Sequence, residues 1–213
     1  CALPISAYAH ITRAIASGKG VVTANKMLLA MHGPDLVDRA IARGVDLAFE
    51  ASVGGGIPII RTLREAFTSD WVTRLYGIVN GTSNYILTRM RDEGAPFDAV
   101  LRDAQRLGYA EADPTLDVGG GDAAHKLVVL AMLAFGARVD HSRVPTEGID
   151  ALEAVDLRFA ERFGFVVKHL AIGRDRGSSL ELRVHPALVS QKSVLANVSG
   201  VLNAIWVEGR ALG

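Results

Sequence analysis

Between Gly108 and Lys126 the chain reads GYAEADPTLDVGGGDAAHK, setting one glutamate, three aspartates and a lysine around three consecutive glycines before the apolar run LVVLAMLAF. Carboxylates just ahead of a buried helix carry a desolvation cost unless a ligand, a metal or a paired cation offsets it. A substrate bearing both an ammonium and a carboxylate would do so. Asp122 and Lys126 lie four residues apart and share a helix face. The plainest reading of that spacing is a surface ion pair worth about 0.3–0.5 kcal/mol. The other reading is a reactive pair. The apolar run from Leu127 suits a solvated face poorly, and Asp122 falls in the first turn, where the helix dipole keeps it ionised. A lysine there can transfer a proton if its pKa is lowered. Burial or a neighbouring ammonium lowers it and Asp122 at ion-pair distance raises it, so the net shift stays open at this stage.

The remaining acids differ in setting. Asp113, ahead of Pro114, suits a turn or a helix cap, and Asp103 falls on a solvated helix face. NGTSNYIL, from Asn80 to Leu87, reads as a helix N-terminus with Thr82 or Ser83 as cap, and such termini also bind carboxylates. In FEASVGGGIP, glycines directly after a strand let carbonyls crowd inward beside Glu50. That loop suits either a monovalent cation or a glycine-rich hinge. The six histidines are scattered without metal-ligand spacing. The only cysteine is Cys1, in an opening CALPIS that reads as foreign sequence, so there is neither an internal thiol nucleophile nor a nucleophile elbow. Gly119 to Ala124, GGGDAA, fits a loosened dinucleotide turn, but it follows an acidic loop rather than a strand and counts as accidental.

The elements that must position these groups follow from periodicity. Helical spacing from Tyr8 to Ser17 ends at Gly18, Gly20 to Ala24 is a short strand, a helix runs from Pro34 to Arg43, and Val45 to Glu50 is a buried strand. That alternation predicts the tail of a doubly wound α/β domain, with a boundary near Val53. Pro58 starts a helix to about Phe67, and Trp71 to Val79 is a strand. Helices are expected over Thr82 to Glu93, Phe97 to Leu107 and Asp122 to Phe135. Strands return at Gly164 to Gly173, at Ser179 to His185, which ends its strand, and at Val201 to Val207. The fold class is therefore α/β plus α+β: the carboxyl part of a Rossmann-like domain, then a mixed or antiparallel sheet with helices.

The 213 residues, 49% of them apolar, can build one substantial core. With 23 basic and 23 acidic residues the formal charge is zero, which leaves no electrostatic footprint for nucleic acid or an anionic membrane. The run Leu127 to Phe135 is far too short to span a bilayer.

Four motifs then occur in order: VVTANK (Val21 to Lys26), FEASVGGGIPII (Phe49 to Ile60), GIVNGTSNYIL (Gly77 to Leu87) and the acidic block, followed by HPALV and SGVLNAIWVEG. With these the chain resembles the homoserine dehydrogenases from about Tyr8 to Gly213. The resemblance implies an NAD- or NADP-dependent interconversion of L-homoserine and L-aspartate 4-semialdehyde, on the route to threonine, methionine and isoleucine, in a cytoplasmic homodimer. Enzymes of this kind begin with a G-x-G-x-x-G half and continue past the position of Gly213, so residues 1–52 are expected to be a partial nucleotide-binding domain and 53–213 the catalytic and dimerisation domain.

The resemblance also assigns roles. Lys126, Lys26 and Asp122 take catalytic positions, Lys126 being the leading proton carrier and Lys26 the second; otherwise Lys26 merely starts a helix. Glu111 and Asp117 would hold the amino group and hydroxyl of homoserine, with Tyr109, Gly81 and Thr82 also in contact. Thr23, Asn25 and Lys26 would face the cofactor. Sodium would sit on Glu50 and the carbonyls of Val53, Gly55 and Ile57. Two other classes compete. Aspartate-semialdehyde dehydrogenase chemistry needs an internal cysteine that the chain lacks. A non-catalytic amino-acid-binding or dimerisation module would keep the pocket without turnover.

Overall fold

The computed structural model describes residues 4–211, so Cys1 and the reading placed on the opening CALPIS lie outside what can be described. Two compact units emerge. The described part of the first draws on residues 4–72, 125–143 and 209–211. In it α1 (Pro4–Ala16) leads to β1 (Val21–Val22), α2 (Lys26–Arg43) and β2 (Leu47–Ala48). The strands pair in parallel, Val21 opposite Leu47 and Val22 opposite Ala48, as a helical crossover requires. Asn25 caps α2 by accepting a hydrogen bond from Leu28 N at 3.1 Å. Gly44, left-handed at φ 63°, ends it.

α2 starts eight residues before the helix read from periodicity, and Pro34 lies inside it. A proline normally disfavours helix in the residue before it, through a clash with that residue's Cβ. Gly33 has no Cβ. One added there would meet Met132 Sδ at 3.1 Å, so the same glycine admits both the proline and a close neighbour. After β2, α3 (Ile59–Arg61) widens into a π-helical turn, Thr62–Ala66.

The second unit, residues 73–124 and 144–208, is built on a four-stranded sheet of order β5-β4-β3-β6. Its strands are β3 (Val72–Ile78), β4 (Phe165–Asp175), β5 (Leu180–Ser190) and β6 (Ala204–Gly209). β4 runs antiparallel to both β3 and β5, as the mixed or antiparallel sheet requires. Helices α4 (Gly81–Glu93), α5 (Phe97–Arg106), α6 (Thr115–Val118) and α8 (Ala154–Arg162) belong to this unit, as does the start of α7 (Gly121–Ala134). Period-two alternation sends Val167 into one core cluster with Ile86, Met90, Val100 and Leu157, and Val166, Leu170 and Ile172 into another with Ile78 and Val189. Being central, β4 is buried along most of its length.

The structure changes three details. His185 does not end its strand; β5 continues through Pro186, opposite His169, to Ser190. Proline is tolerated because β5 is an edge strand, where one ladder position needs no N–H. α6 and α8 were not anticipated. A four-residue helix is too short to show a period, and the start of α8 depends on Asp156, whose carboxylate accepts a hydrogen bond from Glu153 N at 2.9 Å.

Candidate active site

The acidic block is held by its own local bonds. Gln105, near the end of α5, donates to the carbonyls of Glu111 at 3.1 Å and Ala112 at 3.3 Å. Asp113 accepts from Thr115 N at 3.1 Å and from its hydroxyl at 2.6 Å, so of the turn and capping roles expected of it the structure shows the turn, the cap position of α6 being Pro114. Those Thr115 bonds, the hydroxyl first, hold the Asp113 carboxyl below its usual range. The three glycines answer to crowding. A Cβ at Gly119 would lie 2.7 Å from Thr115 O, one at Gly120 would lie 2.9 Å from Thr146 Cγ2 and 3.1 Å from His169 Cε1, and one at Gly121 would lie 2.9 Å from Leu116 Cδ1. Gly120 is also left-handed, at φ 86°.

The start of α4 gathers this loop. Its cap is Asn80, rather than Thr82 or Ser83: Asn80 Oδ1 accepts from Ser83 N at 2.8 Å. The first helical residue is a glycine, and the chain passes so near Val201 O there that a Cβ would sit 2.8 Å away. The Thr82 hydroxyl donates to Tyr109 O at 2.6 Å, and the Ser83 hydroxyl to Asp117 O at 3.0 Å. Asn80 Nδ2 donates to Asp117 Oδ1 at 2.7 Å and to Asp122 Oδ2 at 2.9 Å. Of the six substrate and catalytic candidates in this unit, Gly81, Thr82, Tyr109, Asp117 and Asp122 are thus joined through one helix terminus. Glu111 is exposed, and its carbonyl rather than its carboxylate makes the bond to Gln105. The Tyr109 ring packs against Tyr85, with centroids 4.9 Å apart.

Asp122 is only 3% exposed, so a fully solvated ion pair does not describe it. It occupies the first turn of α7, and Lys126, one turn later, is half-buried. A buried, hydrogen-bonded carboxylate in the first turn of a helix suits binding or proton chemistry.

In the first unit, Thr23 Oγ1 accepts from Asn25 N at 3.2 Å, Asn25 caps α2, and Lys26 is the first residue of that helix. These residues follow the carboxyl end of β1, where open α/β sheets bind nucleotides, so the segment fits an NAD(P) site. Glu50 anchors its glycine loop to the start of α3: Oε1 accepts from Ile60 N and Oε2 from Arg61 N, each at 2.9 Å. Gly54 and Gly55 are left-handed, and Ile57 O accepts from Ile59 N at 2.8 Å. The donors offered here are oxygens with a single negative charge, which fits a hard monovalent cation. Among the described residues no three His, Cys, Asp or Glu side chains gather as a metal cluster.

Sequence reasoning missed Asn80, and it missed a buried polar network one turn further along α4. Asn84, 1% exposed, donates from Nδ2 to the carbonyls of Val198, Gly200 and Leu202 at 3.1, 3.0 and 3.2 Å. Its Oδ1 accepts from Lys168 Nζ at 3.3 Å, and Lys168 also donates to Val198 O. Thr88 Oγ1 accepts from Gly200 N at 3.1 Å. This network pins residues 198–202 against α4. The available signals were an asparagine at the expected cap position and a lysine inside the apolar strand FVVKHLAIG.

The sequence model of the homoserine dehydrogenase family matches residues 58–213. Homoserine dehydrogenase of Pseudomonas aeruginosa is 49% identical over 207 residues, 97% of this chain and 48% of that protein. The crystal structure of a homoserine dehydrogenase from Thiobacillus denitrificans superposes with a TM-score of 0.94 at 52% identity, covering 97% of this chain and 48% of that one. A hyperthermophilic archaeal homoserine dehydrogenase in complex with NADPH gives a TM-score of 0.84 at 28% identity, over 100% of this chain and 61% of that one. The chain spans about half the length of the curated relatives it matches.

Proposed function

The chain belongs to the homoserine dehydrogenase family, and from that premise we propose that it carries most of the catalytic machinery for NAD(P)-dependent interconversion of L-homoserine and L-aspartate 4-semialdehyde. The observation that carries the proposal is the convergence of Asp117 and Asp122 on Asn80, with Lys126 one turn beyond Asp122 on α7. Asp117 and Glu111 are suited to the substrate's ammonium. Gly81 and Thr82, at a helix N-terminus of thirteen residues, are suited to its carboxylate. Tyr109 borders them through the Thr82 bond to its carbonyl. Lys126 takes the hydroxyl proton as the alcohol is oxidised and returns it in the reverse direction, Asp122 sets its charge environment, and Lys26 is the second candidate for the proton. NAD(P), when bound, accepts or donates the hydride at the substrate's terminal carbon, and Thr23, Asn25 and Lys26 would hold it.

We divide the chain into a nucleotide-binding part, 1–52, and a catalytic part, 53–213, and place the protein in the cytoplasm. Homodimerisation through the sheet is supported by exposed Leu188, Val194 and Trp206 beside a cleft of about 460 Å³ lined by β3, β4, β5 and β6 residues. Among the described residues no helix is long and apolar enough to cross a membrane. Sodium, held by Glu50 and the carbonyls of Val53, Gly55 and Ile57, would be a structural ion. Replacing potassium by sodium is then expected to raise the melting temperature, and an unchanged melt would remove the ion from this reading.

The test of the function is NADPH oxidation with L-aspartate 4-semialdehyde, using this chain joined to an intact dinucleotide-binding half and a closing segment. Turnover is expected. A folded, NADPH-binding polypeptide without turnover would overturn the proposal in favour of a binding module. In the same protein Glu111→Ala is expected to raise KM for the amino-acid substrate about tenfold or more, since one charge-assisted bond is lost. A KM no more altered than by a surface substitution would remove Glu111 from the site.

A further inference from the structure

We propose that Asn80 is a positioning residue that holds Asp117 and Asp122 at the separation the site needs, an inference that rests on the function proposed above. A carboxamide offers two N–H hydrogens and one carbonyl oxygen, and at Asn80 every one is engaged. The two hydrogens go to Asp117 Oδ1 at 2.7 Å and Asp122 Oδ2 at 2.9 Å, and the oxygen accepts from Ser83 N at 2.8 Å. The amide orientation follows from its partners. Turned over, it would aim its oxygen at two carboxylates and its hydrogens at an N–H.

The two acids come from different elements, Asp117 from α6 and Asp122 from α7, on either side of the glycine turn. They are 37 and 42 residues from Asn80, so the amide reaches both across the fold and adds a tie that the short turn between them does not itself contain. Two carboxylates drawn this close repel, and a shared amide that donates to both offsets that repulsion without adding a net charge. Asn80 is 6% exposed and sits at the junction of β3 and α4, so the clamp is fixed by the framework.

The cap and the clamp can be separated by chemistry. Aspartate caps helices as well as asparagine does, so Asn80→Asp keeps the bond to Ser83 N but turns two donors into a third carboxylate. Asn80→Ser also keeps a capping oxygen and removes both amide donors without adding charge. In the full-length enzyme carrying this chain, both variants are expected to lose about 100-fold in kcat/KM at pH 8, partly through KM for the amino-acid substrate. Asn80→Asp alone should regain activity as the pH falls, because one of three clustered carboxylates then holds a proton and donates. A pH profile unchanged from wild type in Asn80→Asp, or both variants within about threefold of wild type, would show that Asn80 only caps α4 and would overturn the proposal. If Asn80→Asp does not fold, Asn80→Ser still decides by its kcat/KM. Asp117→Ala in the same protein separates the two levels of argument. Its loss of activity beside unaffected Asn80 variants would refute the clamp alone, and its full activity would refute the site and the clamp together.

Discussion

Lys126→Ala is expected to lower turnover of L-aspartate 4-semialdehyde by about 100- to 10,000-fold, the range for removing a positioned general acid or base. The half-buried lysine follows buried Asp122 by one helical turn, and the apolar residues Leu127 to Leu130 behind it are buried. A side chain placed there for solubility would not be given such surroundings. Lys126→Arg keeps the positive charge but cannot release a proton near neutral pH, so it should fail to rescue. Activity within about tenfold of wild type in Lys126→Ala, a change under roughly 1.4 kcal/mol, would transfer the proton role to Lys26. Recovery in Lys126→Arg would instead reduce Lys126 to an electrostatic contribution.

The second large effect concerns stability. Burial pushes the Lys168 ammonium down to about 8, with Arg91 adding to the shift and Asp92 opposing it. Lys168 is 1% exposed, and its two acceptors, Asn84 Oδ1 and Val198 O, are both neutral. An unfolded lysine titrates near 10.4, so between about pH 8 and 10.4 the unfolded chain binds the proton that the folded chain has released. Stability therefore rises with pH across that window, by up to roughly 3 kcal/mol, whereas below pH 8 both states are protonated and the burial penalty is constant. Urea midpoints at pH 7.5 and 10, compared with those of Lys168→Met, isolate this contribution from other titrating groups. Equal shifts in the two proteins would refute a depressed Lys168. The same residue ties residues 198–202 to α4 through Asn84, so its charge state bears on the helix whose first turn carries the proposed site.

Much of the architecture was legible because it is periodic. β3, α4, α5 and α7 lie within a residue or two of where apolar spacing put them, and β4 and β6 are close. Where the reading fell short, one chemical exception was responsible each time. Gly33 lets α2 pass through Pro34, an edge position lets β5 pass through Pro186, and α6 is shorter than the period that would reveal it. At the site, Asp117 and Asp122 stood out because clustered acids beside an apolar run need a reason. Asn80 did not, because an asparagine before a helix is explained by capping alone.

The sequence by itself determined which groups could do chemistry: the acids, Lys126 and Lys26, and the four ordered motifs that mark the family. These depend on residue type and short-range spacing, which are properties of the chain. Only the tertiary structure decided which of these groups meet. Asn80 reaches its two acids across 37 and 42 residues, and Asn84 reaches Lys168 across 84. Such long-range hydrogen bonds depend on the sheet and helix packing that sets the backbones side by side, and nothing in local propensity distinguishes an asparagine that caps from one that also holds two carboxylates.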